Sequence, residues 1–264
     1  MTALSEPRGR RHCLWALCVL TLALVLLLPR ESATARSVSK GTPQDGELLD
    51  GFQVPLTGEH HAFAPNVRAR GNQYTTLEAA ALLARAARTV DEASPGAPLI
   101  LGDCSARGGG ALERHASHQS GRDLDLLFYV KDSRGRSIPS PGFHHFDGRG
   151  KCADETCTLR FDVARNWWLV RTLLASQRPA VQYIFISRPL ADMMLHYARR
   201  FGEHPSILRR AASVLHQPRD APPHSDHLHV RIYCNEKDLK QGCVDTGPRW
   251  RWIQANGRAK GIAP

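Results

Sequence analysis

Residues 115–130 read HASHQSGRDLDLLFYV, and this stretch decides how the fold is interpreted. The run from Asp123 to Val130 is largely apolar and follows a glycine turn, so it predicts a β-strand. Side chains alternate along a strand, which places Asp123 and Asp125 on one face. Gly121 supplies the turn that lets His118 fold back toward these aspartates. The stretch therefore predicts a strand that carries a polar functional site.

A second stretch, residues 224–234, reads HSDHLHVRIYC and alternates like a strand from Leu228 onward. His227 and His229 are two residues apart and therefore share a face. Zinc prefers neutral imidazoles and carboxylates, and a catalytic zinc keeps three protein ligands and one open position. The two strands together predict one metal site, in which alternation alone cannot choose between Asp123 and Asp125. The alternative is a histidine-rich polar surface that holds no metal.

The rest of the chain mixes helices and strands without regular alternation. Thr75 and Glu78 form a Thr-x-x-Glu capping box before residues at helical spacing, which predicts a helix that ends before Ser94. Further helices are predicted from Asp162, at 189–200 and at 205–215, and further strands at 98–103 and 181–187. Residues 131–160 are rich in Gly, Pro, Ser and His and predict a long loop. This mixture favours an α+β fold with a central, mostly antiparallel sheet flanked by helices.

The N-terminus has the pattern of an export signal. Three arginines precede a 15-residue apolar run from Leu14 to Leu28, and Ala33-Thr34-Ala35 fits a small-residue cleavage site. We therefore predict a signal peptide at 1–35 and a location in the periplasm or cell envelope. The run is short for a membrane span of about 20 residues, so no stable span is expected after cleavage. An uncleaved N-terminal anchor is the alternative.

Composition and charge exclude several classes of protein and several kinds of partner. Of the 264 residues, 42% are hydrophobic and 23% are charged, which excludes a fibrous or wholly disordered chain. Removal of residues 1–35 would take away four arginines and two glutamates and change the net charge from +10 to +8. A basic exported protein suits an anionic cell-wall polymer, and export argues against a nucleic-acid partner. The sequence carries no signal for an oligomeric state.

The sequence also predicts the domain boundaries and two disulfide bonds. After the signal peptide we expect a loosely structured arm or linker at 36–73, a domain at 74–236 that carries the predicted metal site, and a polar tail at 237–264. Five cysteines remain outside the signal peptide. In an oxidising compartment the local pairs Cys152–Cys157 and Cys234–Cys243 are expected to form disulfides. Cys104 would stay reduced as a small buried hydrophobic residue.

Residues 115–125, HASHQSGRDLD, closely resemble the first signature of the penicillin-insensitive murein endopeptidases, and residues 224–231, HSDHLHVR, resemble the second. That family belongs with the lysostaphin, D-Ala-D-Ala carboxypeptidase and hedgehog group of zinc folds. The likeness covers roughly residues 98–234. The HExxH, GxSxG, GxGxxG and P-loop motifs are absent from the sequence, so a common zinc protease, a serine hydrolase and a nucleotide enzyme have no positive support.

The resemblance implies a division of roles within the predicted site. It implies zinc bound by His118, Asp125 and His229, with His227 as the catalytic residue. It further implies additional metal contacts or supporting positions at His115, His224, Asp123 and Asp147. The Asp-Gly-x-His element of the family appears here as Asp147-Gly148-Arg149-Gly150, where glycine replaces the histidine. A second metal is therefore not expected from this element.

By resemblance, the expected reaction is hydrolysis of the D-alanyl–meso-diaminopimelyl crosslink of peptidoglycan. Zinc would act as a Lewis acid on the scissile amide, and no acyl-enzyme would form, so β-lactams should not inhibit the protein. The alternatives are a DD- or LD-carboxypeptidase or another wall amidase on the same fold. A catalytically silent, zinc-stabilised wall-binding protein is the alternative from a different class.

Overall fold

The computed structural model of the protein describes residues 36–253, so the predicted signal peptide lies outside the described residues. The strands are β1 (Val38–Gly41), β2 (Gly46–Leu49), β3 (Phe52–Gln53), β4 (His61–Phe63), β5 (Tyr74–Thr75), β6 (Leu99–Leu101), β7 (Asp123–Leu127), β8 (Val130–Lys131), β9 (Ser137–Ile138), β10 (Arg160–Phe161), β11 (Val181–Phe185), β12 (Leu215–His216) and β13 (His227–Ile232). The helices are α1 (Pro65–Arg70), α2 (Leu77–Ala93), α3 (Val163–Ala175), α4 (Arg188–Arg200), α5 (Pro205–Val214) and α6 (Glu236–Leu239).

The largest sheet has six strands in the order β12-β11-β13-β7-β6-β4. The three inner pairings, from β11 to β6, are antiparallel, and the two outer pairings are parallel. The described residues also form one three-stranded sheet and two two-stranded sheets. The predicted α+β class with a mostly antiparallel sheet is therefore confirmed.

The central strands β7 and β13 divide their side chains between a core and a polar site. Leu124, Leu126, Leu228 and Val230 are fully buried in the hydrophobic core, together with residues from α2, α3 and α4. The intervening side chains point to the opposite face, because neighbouring residues alternate along a strand. The antiparallel register pairs His229 with Asp125 and Arg231 with Asp123. This register brings the two sequence motifs together.

The start of α2 differs from the prediction by one residue. Thr76, not Thr75, is the N-cap, and its hydroxyl accepts a hydrogen bond from the backbone N–H of Ala79. The Thr75 hydroxyl instead donates to the carbonyl of Gly121. The predicted capping box of Thr75 and Glu78 is therefore wrong, because both threonines precede the apolar run and no residue pattern favours the second.

Three segments that were expected to be irregular carry regular structure. Residues 36–73 contain β1 to β4 and α1, and β4 pairs in parallel with β6 at the edge of the main sheet. The loop at 131–160 contains β9, and β8 pairs with both β9 and β10 at its ends. The tail after residue 236 begins within α6 and continues to Trp250, whose indole N–H donates to the carbonyl of Gln182. These strands are two to four residues long, too short for a periodic pattern to be visible.

The cysteine predictions are confirmed. Cys152 is bonded to Cys157 and Cys234 to Cys243, and Cys104 is a buried free thiol. Within residues 36–253, no helix combines the length and the apolar character that crossing a membrane requires.

Candidate metal centre

The carboxylate of Asp125 lies at the centre of the site. It is buried on β7, and its Oδ1 lies 3.2 Å from His118 Nε2, 3.3 Å from His229 Nδ1 and 3.3 Å from His227 Nε2. Asp125 Oδ2 faces His115 Nδ1 at 3.9 Å. Burial by itself would raise the pKa of Asp125, but the neighbouring imidazoles of His118 and His227 hold it well below its usual range. Asp125 is therefore an anionic group facing several imidazole nitrogens.

The donor atoms around Asp125 fit a divalent cation. Both carboxylate oxygens of Asp125 and Nε2 of His118 are buried without a hydrogen-bond partner in the described part of the chain. Unpaired buried polar atoms are costly, and a cation held among them would remove that cost. The nearby side chains form two groups whose ligand atoms lie within 4.8 Å of one another: His115, His118 and Asp125, and His224, His227 and His229. Imidazole with carboxylate is a donor set that suits zinc.

The backbone around His118 fixes which of its nitrogens can bind a metal. His118 is in the left-handed region with a φ of 70°, and its backbone N–H donates to Asp123 Oδ2 at 3.0 Å. Its Nδ1 lies 2.7 Å from the carbonyl oxygen of Cys104. A carbonyl can only accept, so Nδ1 carries a proton, and in the neutral imidazole Nε2 presents its lone pair toward Asp125. This contact holds the ring in the orientation that a metal ligand at Nε2 would need.

Asp123 supports the site from the side of His229. Arg231 donates two hydrogen bonds to its carboxylate at 2.7 and 2.9 Å, and His229 Nε2 lies 3.4 Å from Asp123 Oδ1. Burial by itself would raise the pKa of Asp123, but Arg231 and His229 hold it well below its usual range. An anionic Asp123 favours a proton on His229 Nε2, which leaves Nδ1 free toward Asp125. The structure therefore separates the two aspartates that alternation could not distinguish.

His227 and His224 lie side by side next to Asp125. His227 Nδ1 is 2.8 Å from Asp226 Oδ1, and the ring of Phe143 meets the His227 ring edge-on at 5.4 Å. Burial by itself would lower the pKa of His227, but Asp125 and Asp226 raise it to about 10. The His224 ring is 5.1 Å from that of His227, and burial together with the His227 and His229 charges lowers the pKa of His224 to about 4.

His115 belongs to a polar network at the opposite side of Asp125. Its Nε2 lies 3.1 Å from Asp103 Oδ2. Asp103 also accepts hydrogen bonds from Arg70 and from Asn72. Burial by itself would raise the pKa of Asp103, but His115 and Arg70 lower it. The network holds the His115 ring with Nδ1 directed at Asp125.

Asp147 lies outside both groups of ligand atoms. It is exposed, and its Oδ1 accepts hydrogen bonds from the backbone N–H groups of Arg149 and Lys151, which close a turn. A third cluster on the same loop contains His144, Cys152, Asp154 and Cys157. Its two sulfurs are joined in a disulfide, so they are not thiolate ligands.

Sequence reasoning missed three supporting groups. Asp226 stands directly before His227 and its partnership could have been suspected from adjacency. Asp103 lies two residues after β6, but its pairing with His115 depends on the path of the intervening loop. The carbonyl of Cys104 has no signal in the sequence, because any residue provides a carbonyl. The Cys104 thiol itself is buried, and burial raises its pKa, as do the charges of Asp125 and Asp103.

Comparison with known proteins identifies a matching family. The family model described as penicillin-insensitive murein endopeptidase matches residues 39–249. No curated protein matches the chain. The matched range contains both histidine motifs and also the segments at 39–73 and 237–249 that were expected to lie outside the domain.

Proposed function

Since the chain belongs to the penicillin-insensitive murein endopeptidase family, we propose that it is a zinc-dependent endopeptidase that hydrolyses D-alanyl–meso-diaminopimelyl crosslinks in peptidoglycan. One observation carries this proposal: the buried Asp125 carboxylate faces the nitrogens of His118, His227 and His229 at 3.2–3.3 Å. The family supplies the substrate class, and the donor set supports the metal.

His118 Nε2, Asp125 and His229 Nδ1 would hold the zinc. The carbonyl of Cys104 orients the first imidazole and Asp123 orients the second, so both present lone pairs at the same place. Bound zinc supplies Lewis acidity toward the scissile carbonyl and toward water, so hydrolysis needs no covalent enzyme intermediate. This property supports the expected insensitivity to β-lactams.

His227 is the proposed catalytic residue. Asp226 accepts from its Nδ1, which leaves Nε2 directed into the site beside Asp125. From this place Nε2 can hold a proton for the developing oxyanion or take one from the attacking water. Phe143 packs against the ring and restricts its orientation. Replacement of His227 by alanine should leave the zinc in place and lower turnover by about 10²-fold or more.

The proposed location is the periplasm or cell envelope. The two disulfides support an oxidising compartment, because such bonds persist mainly in exported proteins. The substrate is itself outside the cytoplasm. Sequencing the N-terminus of protein from the envelope fraction tests this, and a chain that starts near Arg36 is the expected result. An intact Met1 on cytoplasmic protein would contradict it.

Digestion of purified sacculi tests the activity. Sacculi that carry meso-diaminopimelate are incubated with the parent, with His227→Ala and with His196→Ala, an exposed histidine of α4 that serves as the control. Mass spectrometry of the muropeptides should show crosslinked dimers converted to monomers by the parent and the control only. A zinc chelator should stop the reaction, zinc should restore it, and penicillin should have no effect. Loss of only terminal D-alanine would favour a carboxypeptidase, and unchanged muropeptides would favour a binding protein.

A further inference from the structure

A row of aromatic rings begins at the metal centre and continues across the sheet. We define the aromatic strip as Phe185 and Tyr183 of β11 together with Trp250 and Trp252. The register pairs Phe185 with His229 and Tyr183 with Arg231, so both β11 rings share a sheet face with the histidines. The Phe185 and His229 rings are 5.1 Å apart. The strip is therefore continuous with the proposed catalytic site.

The rings of the strip contact one another in sequence. The next distances between ring centroids are 5.1 Å from Phe185 to Tyr183, 6.0 Å from Tyr183 to Trp250 and 5.4 Å from Trp250 to Trp252. Trp250 is held in place because its indole N–H donates to the Gln182 carbonyl. The strip is thus a fixed surface and needs little ordering when a ligand binds.

All four rings of the strip are partly exposed, and the exposed imidazole of His216 lies beside them, 5.7 Å from Tyr183. The planes of Tyr183 and Trp250 meet at 82°, so together they offer a flat apolar ring face beside a ring edge. A pyranose ring has the complementary form, with a flat C–H face and a rim of hydroxyl and acetamido groups. Within peptidoglycan, the sugars have this form, whereas the alanine and diaminopimelate parts of the crosslink have no comparable flat face.

The strip lies within reach of the glycan chain that carries a crosslink bound at the site. A stem peptide of four extended residues spans at most about 14 Å. The ring-to-ring steps of 5.1, 5.1 and 6.0 Å from His229 to Trp250 set only an upper limit on the separation of these two rings, and every ring before Trp250 is nearer to the site. We propose that the aromatic strip binds an N-acetylated sugar of the glycan strand to which the scissile stem peptide is attached, with Tyr183 and Trp250 as the main contacts. This inference rests on the proposed function, since it places the crosslink at Asp125 and His227.

Two substrates separate sugar binding from peptide binding. The first is the crosslinked dimer of disaccharide tetrapeptides, and the second is the same crosslinked peptide after an amidase has removed the sugars. Tyr183→Leu and Trp250→Leu should raise KM about 10-fold for the first dimer, which corresponds to a loss of about 1.4 kcal/mol. They should leave kcat for that dimer and both constants for the sugar-free dimer unchanged. Phe201→Leu is the control, because Phe201 is a 68% exposed ring at the end of α4.

Binding without cleavage provides the independent readout. Calorimetric titration with triacetylchitotriose should show binding to the parent and to His227→Ala, and binding at least about 10-fold weaker to Trp250→Leu. Thermal unfolding followed by circular dichroism checks that the leucine variants are folded. An equal rise in KM for both dimers would overturn the proposal in favour of stem-peptide recognition. No change in KM, or no binding of the trisaccharide by the folded parent, would overturn it as well. If the parent bound the sugar but cleaved neither dimer, the proposed function would fail and the sugar site would stand.

Discussion

Asp123 and Asp125 have different surroundings because their neighbours across the sheet differ. Arg231 stands opposite Asp123 and binds its carboxylate through two hydrogen bonds. His229 stands opposite Asp125, and His118 and His227 approach the same oxygen. The Asp123 carboxylate is already paired with an arginine, whereas the Asp125 carboxylate faces only imidazole nitrogens, which are themselves metal ligands. This difference in surroundings, which follows from the register, supports the proposal that Asp125 and not Asp123 binds the metal.

Gly102 lets its backbone pack closely against the side chains of Asp125 and Phe143. A Cβ atom at Gly102 would lie 2.7 Å from Asp125 Cβ and 2.8 Å from Phe143 Cζ. Gly102→Ala should therefore displace Asp125 and weaken zinc binding by about 10–100-fold, the size of effect expected when a ligand loses its support. Competition with a chromogenic chelator measures the affinity. Gly108→Ala is the control, because nothing lies within 4 Å of a Cβ there. Equal affinities for the two variants would refute this role of Gly102.

Much of the site at this scale could be predicted from residue order. The His-x-His pair and the turn at Gly121 placed His118, His227 and His229 near the aspartates, because strand alternation is a local rule. The choice between the aspartates came only from family resemblance, since register depends on the partner strand. The contact of the Cys104 carbonyl with His118 could not be predicted, because backbone atoms leave no pattern in the sequence.

At the scale of elements, the site is held from both sides of β7. β13 supplies His227, His229 and Arg231 on one side. On the other side, Asp103 follows β6 and joins Arg70 of α1 to His115. The network therefore connects a helix in residues 36–73 to the candidate metal centre. The segment that was predicted to be an arm or linker thus contributes Arg70 to the support of the site.

Asp103 should make the free energy of unfolding decrease at low pH. Its pKa is lower in the folded protein than in the unfolded chain, where a value of about 3.9 applies. The stabilisation is therefore present above about pH 4 and is lost as the pH falls through the folded-state pKa. Asp103→Asn should lower the free energy of unfolding at pH 7 by about 1–3 kcal/mol. Urea unfolding at pH 7 and below pH 3 tests this, and a deficit of the same size at both values would show that the carboxylate charge is not responsible.

Helices and strands were predicted correctly where their apolar pattern was long. The helices α2 to α5 and the strands β7, β11 and β13 were found because apolar spacing extends over five or more residues. The shift from Thr75 to Thr76 at the start of α2 shows the limit, because two adjacent threonines satisfy the same rule. The strands β1 to β4 were missed because each is only two to four residues long, and β4 in addition depends on pairing with the distant β6.

At the scale of the whole molecule, the two ends of the described chain meet at Arg122. This fully buried arginine donates to the hydroxyl of Ser39, to the carboxylate of Asp245 and to the carbonyl of Val244. Ser39 belongs to β1, and Asp245 follows the Cys234–Cys243 disulfide. Arg122 directly precedes β7, so closure of the two ends supports the strand that carries both aspartates.

The Cys234–Cys243 disulfide should stabilise this closure. It spans 9 positions, and a loop of this size is expected to contribute about 2–3 kcal/mol by restricting the unfolded chain. The double variant Cys234→Ala/Cys243→Ala should lower the free energy of unfolding by that amount in urea titrations. The matched control is Cys152→Ala/Cys157→Ala, whose bridge spans 5 positions in the exposed loop. A larger loss of stability for the control would contradict the assigned importance of the C-terminal closure.

Zinc content of purified variants tests the central claim most directly. The parent, His118→Ala, His227→Ala, His229→Ala and the control His196→Ala are each incubated with a small excess of zinc and separated from unbound metal, and the bound zinc is measured by mass spectrometry. We expect one zinc per chain in the parent, in His227→Ala and in the control, and loss of zinc in His118→Ala and His229→Ala, because two remaining ligands rarely hold the ion. Retention of zinc by His229→Ala together with its loss from His227→Ala would contradict the account.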